Sequence, residues 1–515
     1  MHFYTPSDYI TGSELYFEYN PTEIKACMDA LTPDSANIML FDKKFDDAEF
    51  DKVEPWFNTK YTDMEIPNDW IEHWRKIEPM PDFHLPEPNV FITDDFSLVS
   101  LPEEVPKYPT KIHSDAMSEV WFRPDPKFRI PESYMYYYFI SPLALTSPEN
   151  TALMDLLVTI MKQLLVEELY PANAAELSHQ IYTGDKGIVV KVNGFNQKLP
   201  LLLATITKYM VDCPKLVTEN LFDVMKAEQL KAYYNTFLKP GKLVKDVRLS
   251  ILMHVHWAAV DRHRAISNVK FNEFLTFAKQ FVDHIYLQCL VQGNITKEEV
   301  IQNSLNCIDI LKCGSLLPNT LPQLRVTQIP LGAQCCRVKN FNKADANSVV
   351  TNYYQSGIGT IKISVIIELL IMLMEEPLFN QLRTQEQLGY NVFCLMRDTF
   401  GILGYSVTVC TQADKFTTEH IDERIEVFLK SFLKILKKMS EKELGSIKVA
   451  LVKLKQCADL HLKEEVNRNW SEITTGEYMF DRQDKEINVI NGTKIVELRK
   501  WMESHVLGGT NLRKL

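Results

Sequence analysis

An architectural phrase stated between Tyr134 and Met210 returns between Val349 and Leu436, and this repeat limits the fold more than any single motif. The first copy runs strand "YMYYYFISP", helix "NTALMDLLVTIMKQLLVEELY", turn "NAAELSHQIYTGDKG", strand "IVVKVNGFN" and helix "KLPLLLATITKYM". The second runs strand "VVTNYYQSG", helix "IKISVIIELLIMLMEEPLFNQLR", turn "TQEQLGYNVFCLMRDTFG", strand "ILGYSVTVCTQ" and helix "EHIDERIEVFLKSFLKIL". Ser141 to Gly187 is 46 residues and Ser356 to Gly401 is 45. Matched order at matched spacing predicts two copies of one α+β domain, each an antiparallel sheet with helices packed on one face. Long helices follow each copy, "VTENLFDVMKAEQLKAYYNTFLK" in the first and "EKELGSIKVALVKLKQCADLHLKEE" in the second, the latter opening on a Ser440-x-x-Glu443 capping box.

The flanks differ from the repeat. Up to about Glu78 the chain predicts a helix over Pro21 to Leu31, a short strand "ANIMLF" and a helix around "NDWIEHWRKI", too little for a comfortable domain. Residues 78–109 are dense in proline, which blocks helices and favours an extended linker. At the other end "KIVELRKWMESHVLGGTNLRKL" reads as a helix and a turn leading into a strand that the chain hardly begins. That arrangement predicts an unpaired sheet edge and a tendency to self-associate.

Composition narrows the setting. The longest apolar stretch, Ile363 to Met374, contains Glu368 and falls short of the roughly twenty residues that a membrane span needs. The N-terminus has no basic region followed by an apolar core, so no signal peptide is expected. Ten scattered cysteines without a CxxC predict reduced thiols and a cytosolic setting, and the terminal "RKL" has Arg513 where a peroxisomal signal needs a small residue. Met1 to Lys107 holds 23 acids and 8 bases of the chain's 67 and 56, leaving 44 and 48 elsewhere. Such an acidic front attracts basic peptides and repels nucleic acid, or is simply a solvated face.

Peptide hydrolysis needs a nucleophile, a base and an electrophile for the oxyanion. No two histidines lie four apart, which excludes both HExxH and HxxEH. "HLKEE" offers His461, Glu464 and Glu465 as weak metal ligands, with a solvated charged helix face as the plainer reading. On a helix His256 and His263 of "HVHWAAVDRH" share a face that His254 does not, and no metal site is assigned to this chain. No nucleophile elbow or Walker loop is present.

"PLFNQLRTQEQLGYNVFC" is different. Phe379 and Arg383 share one helical face, and Tyr390 lies on nearly the same face or just past the helix end if Gly389 terminates it. Together they make an apolar surface with two donors, suited to a peptide carbonyl, or else a capped core helix with an incidental arginine.

"EEPLFNQLRTQEQLGYNVF" closely resembles a segment of the insulin-degrading enzyme and nardilysin family of inverted zincins, the pitrilysin family. "LTPDSANIML", "KLPLLLATITKYM", "LVQGNIT", "NKADANSVVTNYYQSG", "GILGYSVTVCTQA" and "EEVNRNWSEI…YMFDR" extend the likeness along nearly the whole chain, towards the nardilysin branch. The resemblance implies a tail of the family's second domain over 1–77, a linker over 78–109, a third domain over 110–325 and a fourth over 326–515, truncated before its last strand. It implies that Arg383 and Tyr390 hydrogen-bond the substrate backbone, with Phe379 lining the adjacent pocket. Zinc and its HxxEH motif belong to the N-terminal half, which this chain does not resemble. The implied function is therefore the substrate-enclosing C-terminal half of a zinc endopeptidase that cleaves short peptides near paired basic residues, silent alone. The alternative is a non-catalytic peptide-binding or scaffold protein. The implied partners are basic peptides and a zinc-bearing N-terminal half or homologous subunit.

Overall fold

The computed structural model describes residues 4–42, 44–45, 50–85, 87–506 and 508–515. It divides into Met1–Pro88 and Asn89–Leu515. The first unit holds helices Pro21–Asp29 and Asn68–Arg75 and a hairpin of Lys52–Val53 with Lys60–Tyr61, and neither helix has a buried residue. Ala36–Phe41, expected as a strand, is irregular chain: among the described residues no strand pairs with it.

The second unit carries two sheets. The first contains β1 (Thr110–Ser114), β2 (Ser118–Pro124), β3 (Glu132–Ile140), β4 (Ser178–Gly184), β5 (Gly187–Phe195) and β6 (Tyr286–Gly293), in the order β1-β2-β6-β3-β5-β4. The second contains β7 (Gly332–Ala333), β8 (Asn347–Ile358), β9 (Asn391–Thr399), β10 (Ile402–Gln412) and β11 (Arg513–Lys514), in the order β9-β10-β8-β11-β7. The fold is α+β, and each sheet includes one parallel pair, β2 with β6 and β11 with β7, in an otherwise antiparallel ladder. Both segments expected as turns contain strands: β4 and β9 each form a hairpin with the strand that follows.

Helices α1 (Pro148–Glu168) and α2 (Leu199–Leu216) cover one face of the first sheet, α3 (Glu219–Phe237) packs on α1, and α4 (Pro240–Leu252) packs between α3 and β8. Further along come α5 (Lys297–Leu311), α6 (Ile361–Leu378), α7 (Thr418–Lys438), α8 (Glu441–Lys455), α9 (Leu462–Thr475) and α10 (Ile495–His505). Side chains terminate the backbone ladders: Ser147 accepts from Asn150 N at 3.1 Å and Thr360 from Ile363 N at 3.2 Å. The Ser440 box closes both ways, Ser440 N to Glu443 Oε2 at 2.6 Å and Glu443 N to Ser440 Oγ at 3.3 Å. From Asn89 onward the proline-dense chain is strapped to the first sheet, with Asn294 accepting from Val99 N at 2.8 Å and donating to Ser97 O at 2.9 Å.

Strand β3 explains why its sequence reads as one apolar run. Met135, Tyr137 and Phe139 enter the core under α1 and α2, while Tyr134, Tyr136, Tyr138 and Ile140 face the other way and are also buried. What covers them is α9, which follows the second copy of the phrase. The long helix expected from Glu441 to Glu465 breaks after Lys455 and restarts at Leu462, so that Leu462, Val466, Trp470 and Ile473 lie on this sheet. Glu465, expected on a solvated face, is half-buried against the buried Arg123 and Gln292. Asn469 Nδ2 reaches Gln292 Oε1 at 3.0 Å, and Tyr136 Oη donates to Asn467 Oδ1 at 3.1 Å.

The second sheet packs Tyr354, Tyr405, Val407 and Val409 against α6 and α7. Lys514 of β11 reaches Asp422 at 2.5 Å and Glu426 at 2.6 Å, fixing that short strand beside β8. The β11 side of β8 is paired at Tyr354 with Lys514 and between the backbones of Tyr353 and Leu515. Among the described residues, 347–352 have no strand on that side.

Removing Glu465 strands a guanidinium and an amide in a buried interface. Glu465→Ala is expected to cost about 3–5 kcal/mol in denaturant unfolding, whereas Glu464→Ala, whose carboxylate only accepts from Leu460 N, should cost about 1 kcal/mol or less.

Candidate functional site

Helix α6 does not end cleanly. Pro377 removes one backbone donor near its C-terminus, and the chain continues as a π-helical segment, Phe379–Gln385. Glu386 N reaches back five residues to Gln381 O at 2.9 Å, and Leu388 N bonds Leu382 O at 3.0 Å. Leu382 and Leu388 are buried anchors on the core side. The opposite side presents Phe379 and Arg383.

Arg383 lies between two aromatic rings. Its guanidinium carbon is 4.5 Å from the Phe379 ring centre and 4.9 Å from that of Tyr390. Phe379 is 39% exposed and Tyr390 80% exposed, so the sandwich faces outward. Arg424 and Arg468 pair with Glu386 and Asp459, but among the described residues Arg383 has no carboxylate within ion-pair reach. Stacking on the guanidinium faces fixes the group and leaves its N–H edge open. Rigid, unspent donors beside a phenol suit a backbone carbonyl.

Two local features hold the sandwich together. A Cβ on Gly389 would lie 1.9 Å from the Cys410 carbonyl oxygen, so only glycine allows the chain to enter β9 where it does. The helical turn ends at Gln385, before Gly389, so Tyr390 lies past the helix end at the entry to β9 without Gly389 being the terminator that the spacing suggested. The turn after Arg383 is tied to α7: Arg424 Nε and Nη2 each donate to Glu386 at 2.7 Å, and Gln381 Nε2 donates to Glu386 Oε1 at 2.9 Å. The Arg424 guanidinium, followed by the Gln381 amide, holds the Glu386 carboxyl below its ordinary range against the opposing effect of burial. This pair was not foreseen, since its 38-residue separation matches no local pattern.

The three candidate metal residues do not converge. Glu465 is occupied by Arg123 and Gln292, Glu464 accepts from Leu460 N, and His461 stands exposed at the start of α9. His254, His256 and His263 are apart as well: 253–258 is not helical, His256 faces Asp246 at 3.1 Å, and His263 packs on Tyr234 and Phe237. Among the described residues no group of three His, Cys, Asp or Glu side chains is placed to hold a metal ion.

Residues 1–265 match the family profile described as the middle or third domain of peptidase M16. The chain belongs to the M16 peptidase family. Residues 369–470, which contain Phe379, Arg383 and Tyr390, match a second profile, the PqqF-like C-terminal lobe domain 4 of PQQ synthase. Among M16 relatives, nardilysin of Mus musculus is 38% identical across 98% of this chain and 43% of its own length. Insulin-degrading enzyme of Homo sapiens is 28% identical across 95% of this chain and 48% of its own. The crystal structure of pitrilysin superposes with a TM-score of 0.73 at 19% identity, over 88% of this chain and 48% of that one, which establishes the shared fold. The chain therefore spans less than half the length of these relatives. M16 peptidases take zinc through their N-terminal domain, and the residues described here offer no site for it.

Because the folded Glu386 carboxyl titrates below its ordinary value, the bridge to Arg424 contributes stability at neutral pH and loses it as the pH falls through the folded carboxyl's range. Arg424→Ala is expected to cost about 1–2 kcal/mol and to raise amide exchange over residues 384–390. In Glu386→Gln the protection factors over that segment, after correction for the intrinsic pH dependence of exchange, should no longer change on acidification, whereas in the unaltered chain they should fall as the carboxyl protonates.

Proposed function

We propose that this chain supplies the peptide-holding surface of a nardilysin-like zinc endopeptidase, with the zinc and its activated water belonging to a separate N-terminal half. The observation that carries this reading is Arg383, stacked between Phe379 and Tyr390 with its donors open and no acid opposite. In such a site the guanidinium and the Tyr390 phenol donate to carbonyl oxygens of an extended peptide, and Phe379 takes an adjoining side chain. Holding a scissile carbonyl at fixed donors contributes through orientation and through charge stabilisation as the oxyanion develops. No residue described here serves as the nucleophile.

The remaining parts of the reading follow the family arrangement. Residues 1–77 would complete the second domain of the N-terminal half, 78–109 link the halves, and 110–325 and 326–515 be the third and fourth domains. The acidic front suits basic peptides, and the chain's setting is taken as the cytosol. The open stretch of β8 over 347–352 favours pairing between copies, so size-exclusion chromatography is expected to show concentration-dependent dimers. A monomer at every concentration would remove that part.

Purified chain supplied with zinc should bind a dibasic peptide without cleaving it. Arg383→Ala and Tyr390→Phe should each weaken binding, the first by about tenfold or more, as loss of a charged hydrogen-bond donor implies. Turnover by the isolated chain that a chelator abolishes would contradict the assignment of the nucleophile. Binding unaffected by Arg383→Ala would contradict the site. If the chain binds peptide yet a zinc-bearing M16 half added in trans restores no cleavage, the non-catalytic binding protein is the better description.

A further inference from the structure

The face of the second sheet turned away from α6 carries two guanidinium groups that form no ion pair among the described residues, the Asp398 carboxylate acting on the cluster only through its charge on Tyr353. Along β9, Val392 and Cys394 enter the core, so Phe393, Leu395 and Arg397 alternate onto this other face. Arg397 Nε donates to Ser406 Oγ of β10 at 2.8 Å. On the same face of β8, Tyr353 packs with Leu252 and Ile329, and Arg248 of α4 lies over its ring at 5.3 Å.

Arg248 is only 8% exposed, and its Nη1 has no hydrogen-bond partner; neither has the Tyr353 hydroxyl, which is wholly buried. Arg262, Arg424 and Arg468 pair with Asp155, Glu386 and Asp459, but among the described residues neither Arg248 nor Arg397 has a carboxylate within ion-pair reach. Burial depresses both guanidinium pKa values, and the Arg397 charge depresses that of Arg248 further. A buried, partnerless guanidinium beside a second one is costly unless an anion completes the set. Half-buried Arg397 gives that anion a way in from solvent.

The cluster is also measurably placed with respect to the peptide-holding site. Six strand steps separate Asn391, next to Tyr390, from Arg397, about 20 Å at the usual rise. Between them Phe393 and Leu395 stay 36% and 44% exposed, an apolar floor along the strand.

We propose that Arg248, Arg397 and Tyr353 form a carboxylate subsite that receives the C-terminal carboxylate of a peptide whose backbone is held at Arg383 and Tyr390. The inference rests on the peptide-holding reading above. Two guanidinium groups and a phenol at a set distance from the backbone grip select a chain end about six residues further along the peptide.

The test uses the full chain and a fluorescein-labelled peptide of about twelve residues, with a central dibasic pair and six residues after it, made as the free acid and as the C-terminal amide. The acid is expected to bind about tenfold more tightly than the amide, the scale of one charge-assisted hydrogen bond. Arg397→Gln, at a half-exposed position, should erase this difference and leave amide binding unchanged, and Arg248→Met should do the same. Equal binding of acid and amide would overturn the subsite while leaving the peptide-holding site standing. An amide with aspartate as its last residue that matches the acid would overturn the assignment to the chain end. Failure of both peptides to bind would remove the peptide-holding reading and this inference with it.

Discussion

The apolar face of α9 lies on the tyrosine face of the first sheet, and the rest of the second unit depends on that contact. Without it Tyr134, Tyr136, Tyr138 and Ile140 would be an exposed sheet face; with it, a helix that follows the second copy of the repeat covers the far face of the first copy's sheet. Burying this face also buries charge. Arg123, Gln292 and Glu465 become a matched set, and Glu119 accepts from Gln288 at 2.6 Å and from Tyr478 at 3.0 Å nearby. Matched polar groups of this kind fix the register of the contact, because any sliding of α9 would leave one of them unpaired.

That contact lets a site be built on the second sheet with little slack. The π-helical turn after α6 aims Phe379 and Arg383 outward, Gly389 brings the chain tightly past Cys410, and Arg424 holds the turn to α7. Together they leave a guanidinium oriented by two rings instead of by an acid. An acid partner would have spent the donors. Aromatic faces hold the group and keep its edge free.

Much of the fold was legible because buried strands announce themselves: "YMYYYFI" is apolar on both faces since both faces are covered. Strands β4 and β9 were read as turns because their apolar residues alternate with polar ones beside glycine and aspartate, a pattern shared by loops. The role of α9 was hidden by its polar residues. Glu465, Asn467 and Asn469 look solvated until Arg123, Tyr136 and Gln292, more than 170 positions away in each case, are brought to them. At the site, four-residue spacing gave Phe379 and Arg383, whereas the helical turn ends at Gln385 and not at Gly389, whose part is the close passage beside Cys410. The Glu386–Arg424 support had no sequence signal, because a contact between a turn and a later helix obeys no fixed spacing.

The central claim is that an extended peptide lies against Phe379, Arg383 and Tyr390. Its most direct test is photo-crosslinking of a dibasic peptide that carries a benzophenone-bearing residue next to the basic pair, followed by mass-spectrometric mapping. Adducts concentrated within residues 372–395, and suppressed by unlabelled peptide, are the expected result. Saturable adducts confined to other segments, with none at the π-helical turn or the start of β9, would contradict it.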